Sequence, residues 1–178
     1  MNKLLIFFTL LIISQLSFAE YAFTANEVLQ LPPFCRGLSL GNFQADAKKL
    51  KKKMRVPGQH TQHFCHGMKA ILRKNYETAV SEFEYVEEHS TKRHALIPAT
   101  HLYKAEALGH LGNVGAALAE YNKAIRLKKK YTQAYSRLAD YYLTLKQKNN
   151  AIETIKLGLK YAPHSKSLKR KLHSLQKR

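Results

Sequence analysis

The sequence predicts an all-α protein built as a stack of helical hairpins. Two observations predict it. Apolar residues in the second half of the chain recur at a fixed offset of 34 residues, with Ala105 returning as Ala139, Ala117 as Ala151, Tyr121 as Ile155 and Ala124 as Gly158. The recurring positions also alternate in size. Small residues at Gly67, Ala79, Ala105, Ala117, Ala139 and Ala151 let antiparallel helices approach, and Phe83, Tyr121, Tyr142 and Ile155 fill the space between them. One such hairpin cannot bury its apolar face alone, so stacking must supply the core.

The elements follow in chain order. Residues 1–19, "MNKLLIFFTLLIISQLSFA", place Lys3 before an apolar run from Leu4 to Ile13, with small residues near the end. That layout predicts a signal peptide cut near Ala19–Glu20, hence a secreted or periplasmic protein. The run is too short for the roughly 20 residues that span a bilayer. Residues 20–59 fit no repeat and are expected to form an N-terminal cap. Thr24 and Glu27 have capping-box spacing, which predicts a short helix before "LPP". "ADAKKLKKKMR" (45–55) predicts a basic helix ending near Pro57.

"YSRLADYY" (135–142) is similar to the first-helix signature of the tetratricopeptide repeat family, with Tyr135 in the tryptophan place, Leu138 next, Ala139 for the glycine and Tyr142 for the tyrosine. Ala151, Ile155 and Pro163 match its second helix. The resemblance implies a right-handed α-solenoid with repeats at 60–93, 98–131 and 132–165. In the first, His63 and His66 stand in the tryptophan and leucine places and Gly67 in the glycine place. In the second, His101 and Lys104 depart from the signature. Four extra residues fall near 93–98, where Pro98 suits a helix start. In 166–178, Leu168, Leu172 and Leu175 at i, i+4 and i+7 predict an amphipathic helix, read as the solvating cap of the stack; a membrane-surface helix is the rival reading.

"HTQHFCHG" (60–67) holds three histidines and a cysteine. In an exported chain Cys35 and Cys65 read as one disulfide. "LPPFC" with "HFCHG" also resembles elements of secreted proteobacterial repeat proteins regarded as envelope or exopolysaccharide accessories. A metal or haem site at His60, His63 and His66 is the sharper alternative, though the spacing matches no standard zinc arrangement and no acid stands nearby in sequence. A Cys65/His66 nucleophile pair fares worse, because adjacent helical residues point about 100° apart. With no phosphate loop, nucleophile elbow or paired-carboxylate motif, no enzyme and no cofactor are expected.

The family resemblance implies that first helices line a concave groove for a protein partner. By register the lining is Phe64, Met68 and Ile71, then Leu102, Glu106 and Gly109, then Ser136, Asp140 and Leu143, with Arg137 beside them. This composition suits a partly apolar segment carrying a basic residue. The family's carboxylate clamp is not expected, since Phe64, Met68 and Tyr103 replace its lysine and asparagine and only Arg137 fits. The formal charge of +18 concentrates late, with eleven basic and two acidic residues over 132–178. A second reading is therefore an anionic polysaccharide or membrane surface held by 123–130 and 166–178. Nucleic acid is disfavoured in an exported protein.

Overall fold

Residues 24–36 and 58–177 are described by a computed structural model. The signal segment with its cut near Ala19 and the basic helix over 45–55 lie outside the described residues. The chain divides into two units, Met1–Val56 and Pro57–Arg178.

In the first unit, α1 spans Ala25–Gln30. The Glu27 amide donates to the Thr24 hydroxyl at 3.3 Å, and the Thr24 amide donates to the Glu27 carboxylate at 2.8 Å. This reciprocal box satisfies two otherwise orphaned donors and fixes the helix start. Leu31 turns extended, as a residue before proline prefers. A one-turn helix, α2, Pro33–Arg36, follows where "LPP" predicts only a stop.

The second unit is three helical hairpins and a final helix. They are α3 (Thr61–Leu72) with α4 (Tyr76–His89), α5 (Ile97–His110) with α6 (Val114–Leu127), α7 (Thr132–Thr144) with α8 (Lys148–Tyr161), and α9 (Lys166–Lys177). Each hairpin packs on the next, and α9 packs on α8 and α7. The small-to-large pattern forms the core. A Cβ on Gly67 would sit 2.7 Å from the Phe83 ring, so only glycine lets α3 and α4 approach this closely. Tyr135 is fully buried, and its hydroxyl donates to the Lys129 carbonyl at 3.0 Å. Tyr142, expected among the core fillers, is only half-buried.

The three hairpin turns share one device. Lys74, Gly112 and Lys146 occupy equivalent positions and all have positive φ, at 59°, 80° and 59°. Each is followed by an amide that reaches back five residues, from Asn75 to Ala70, Asn113 to Leu108 and Gln147 to Tyr142. This is the Schellman closure that satisfies the last carbonyls of a helix.

Leu168 and Leu175 of α9 are buried on the stack, while Lys166, Lys169 and Arg170 face solvent. The leucine stripe is therefore spent on the core, which removes the apolar face that a membrane-surface helix requires. Among the described residues no helix is long and apolar enough to cross a membrane.

Candidate functional site

Ile71, Glu106, Gly109, Arg137 and Asp140, all expected on the inner face, line one cavity of about 590 Å³. His110, Tyr121, Tyr141 and Thr144 complete its wall. Sequence reading missed these four because His110, Tyr141 and Thr144 each lie one position beyond a residue of the predicted stripes and Tyr121 belongs to a second helix. The Tyr141 ring lies where a Cβ on residue 109 would sit, 2.8 Å away, so Gly109 makes room for it. The Tyr141 hydroxyl is buried without a hydrogen-bond partner.

The other expected lining residues are not available. Phe64 and Leu102 are 1% and 0% exposed, and Met68 is also buried. Phe64 packs its ring 5.7 Å from Phe83 and 5.9 Å from Tyr103 of the next hairpin. Ser136 accepts a hydrogen bond from the Lys171 ammonium at 2.7 Å, and Leu143 packs against the core. In the first two stripes the N-terminal members are buried and only the later ones, Ile71, Glu106 and Gly109, open into the cavity; in the third only Asp140 does.

The acids of this face are already engaged. Arg137 donates to Glu106, and Lys171 donates to Asp140 at 2.5 Å; both pairs are separated by 31 residues, one repeat less one helical turn. Arg137 also stands 5.7 Å above the Tyr103 ring. Burial raises the Glu106 carboxyl above its ordinary range, and Arg137 opposes that shift. An incoming basic group therefore finds Glu106 occupied and half-buried, and must compete with Lys171 for the more exposed Asp140.

The histidine run has a different fate. The His63 imidazole Nδ1 lies 2.8 Å from Glu82, and His66 Nδ1 lies 3.8 Å from the same carboxylate. The acid that the sequence did not place beside them comes from α4, 19 residues on. His63 stacks on Tyr85 at 3.8 Å and Tyr85 on His89 at 3.9 Å, with the His60 ring edge-on to Tyr85 beside that row. Burial lowers the His66 pKa, against the pull of Glu82. Both cysteines are disulfide-bonded and buried, Cys35 in α2 and Cys65 in α3. Cys65 is thus no thiolate nucleophile in this state.

Among the described residues the side chains whose ligand atoms converge, within 4.8 Å, are Glu87, His101 and Glu120. This cluster was not expected from sequence. His101 Nδ1 lies 2.5 Å from Glu120. Lys104 reaches Glu87 at 3.0 Å and Glu120 at 3.8 Å, and Lys123 reaches Glu120 at 2.9 Å. Burial alone would raise the Glu120 carboxyl, but the hydrogen bonds from His101 and Lys123, with the Lys104 charge, hold it at about 2. His101 and Lys104, the two departures from the repeat signature, are therefore packed as a satisfied buried ionic network.

The sequence profile of the tetratricopeptide repeat family matches residues 102–131 and 132–165. These two repeats cover nearly all of α5 to α8. Among solved structures, the first TPR of Spaghetti (RPAP3) bound to HSP90 peptide SRMEEVD is similar, at 19% identity and a TM-score of 0.56. The likeness covers 69% of this chain and 97% of that one, and at this identity it is a likeness of fold. No curated protein matches the chain.

Proposed function

We propose that this tetratricopeptide stack is a non-enzymatic scaffold that holds a segment of a protein partner in the inner cavity. The observation that carries the reading is the convergence of Ile71, Glu106, Gly109, Arg137 and Asp140, from three successive first helices, on one cavity walled by Tyr121 and Tyr141. The similar solved structure, which bears a bound peptide, supports the same use of the fold. The segment is partly apolar, with one basic residue that displaces Lys171 from Asp140. An acidic tail is a poorer fit, because Arg137 and Lys171 are both committed to carboxylates of the stack. We further propose export to the periplasm or beyond after removal of residues 1–19, and an accessory role in envelope or exopolysaccharide assembly.

The test is selection of peptides from a random library on the full chain. Selected sequences should carry an apolar residue near a lysine or arginine. Thr144→Arg with Asp140→Ala, both exposed positions, should weaken their binding at least about tenfold without moving the denaturation midpoint, since a charge-assisted bond is lost and the cavity is obstructed. Unchanged affinity in that variant would sink the reading.

A second reading rests on α9 and the α6–α7 connection. With Leu168 and Leu175 buried, exposed Lys166, Lys169 and Arg170 have no ion-pair partner among the described residues, and Lys128, Lys129 and Lys130 are exposed at the turn before α7. These cations suit an anionic polysaccharide. Retention on a polyuronate column should fall steeply with salt, as counter-ion release requires; salt-insensitive retention would dismiss it.

A further inference from the structure

A second cavity, of about 420 Å³, opens between α4, α5 and α6, away from the residues of the inner face. Its lining includes Ser90, Lys92, Ile97, Lys123, Arg126 and Leu127, with Glu87 and His101 at its charged wall. The volume falls in the range of small-molecule sites. Ser90 and Lys92 belong to the connection 90–96, seven residues long, whereas the later connections 128–131 and 162–165 have four each. The extra residues of the first connection thus contribute part of the wall.

The charges of this wall are unevenly spent. Lys123 is bound to Glu120 and 3.7 Å from Glu87, and Lys104 closes the same pair of carboxylates. Lys92 and Arg126 are exposed and have no ion-pair partner among the described residues. The Ser90 hydroxyl is buried with no hydrogen-bond partner, a group that a ligand oxygen would satisfy. Buried Ile97 and half-exposed Leu127 provide an apolar side. A metal cation is the poorer occupant despite the convergence of Glu87, His101 and Glu120. It would have to displace two ammonium groups and the His101–Glu120 hydrogen bond.

We propose that this cavity binds a small amphipathic anion, a carboxylate on a short apolar body. The head lies among Lys92, Arg126 and the Ser90 hydroxyl, and the body lies along Ile97 and Leu127. Guanidinium and ammonium donors to a carboxylate are the strong class of hydrogen bond, and the apolar side discriminates against a bare inorganic anion. This inference goes beyond the scaffold reading and does not depend on it.

The test is a nitrogen–proton chemical-shift titration of the full chain with octanoate, below its micelle concentration. Octanol serves as the uncharged control and acetate as the control without a tail. Octanoate should give saturable shifts at the amides of 90–97 and 123–127, with octanol and acetate each at least about tenfold weaker. Lys92→Gln with Arg126→Gln, both at the surface, should weaken octanoate at least about tenfold and leave the unfolding midpoint in place. Octanol binding as tightly as octanoate, shifts confined to the inner cavity, or an unaffected double variant would each overturn the proposal. So would stoichiometric zinc chloride shifting the His101 ring resonances, because the carboxylates would then be the ligand set.

Discussion

His63, His101 and Tyr135 stand at one equivalent position on the first helix of the three hairpins. The matching positions on the second helix, 19 residues on, are Glu82, Glu120 and Thr154. In the first two hairpins the position is filled by a polar pair, His63 against Glu82 at 2.8 Å and His101 against Glu120 at 2.5 Å. In the third, the Tyr135 ring fills the space, and Thr154 turns its hydroxyl to its own helix, donating to the Asn150 carbonyl. The backbone arrangement recurs while the chemistry that wedges the helices apart changes. A buried polar network such as that of His101 and Glu120 holds only while every member is satisfied, whereas an aromatic wedge has no such requirement.

A set of substitutions and one change of pH would break or sharpen that contrast. The largest effect should come from Tyr135→Ala, about 4 kcal/mol of lost stability, the usual cost of emptying a large aromatic site. A urea midpoint unchanged by it would mean the third hairpin does not rest on its wedge. Next, Glu120→Ala should cost about 3 kcal/mol, because His101, Lys104 and Lys123 lose their common carboxylate. Thr154→Ala, at the matching place, should cost about 1 kcal/mol or less. Equal losses at the two positions would erase the distinction between polar and aromatic wedges.

Acid should separate the hairpins too. Glu120 is held at about 2 in the folded chain against an ordinary 4.5, so its stabilisation is fully present above the ordinary value. It is lost as pH falls from about 4.5 to about 2, a contribution of roughly 2–3 kcal/mol. Chemical denaturation at pH 5 and pH 2.5 should show this loss, and Glu120→Gln should flatten the dependence. The smallest change is a gain. Lys74 and Lys146 hold the left-handed conformation that Gly112 adopts at the same place in its hairpin. Lys146→Gly should add about 1 kcal/mol by relieving the Cβ crowding of that conformation; a net loss would show that the lysine side chain matters more than its backbone.

The 34-residue offset made the hairpins legible, because small and large residues at the interface recur whatever the surface does. The capping box of Thr24 and Glu27 was legible for a local reason: both partners lie within four residues. The polar wedges were not, since pairing His101 with Glu120 requires knowing that two helices face each other at that level. Phe64 and Leu102 were misplaced on the groove because a helical stripe does not reveal how far the next helix extends over it. The ion pairs at a separation of 31 could have been read by placing Arg137 and Glu106 in repeat register. The convergence of Tyr121 with Tyr141 depends on the crossing of helices and left no such signal.

The pair between Arg137 and Glu106 is reproduced between Lys171 and Asp140, one repeat later. In register, α9 is the first half of another hairpin: Lys171 takes the place of Arg137, and Leu172 that of Leu138. The inner face consequently presents the same connector at successive junctions, like the stud and socket of a modular rail. A duplicate of residues 132–165 inserted before Lys166 would meet matching connectors on both sides, so the stack can be lengthened without redesigning its ends.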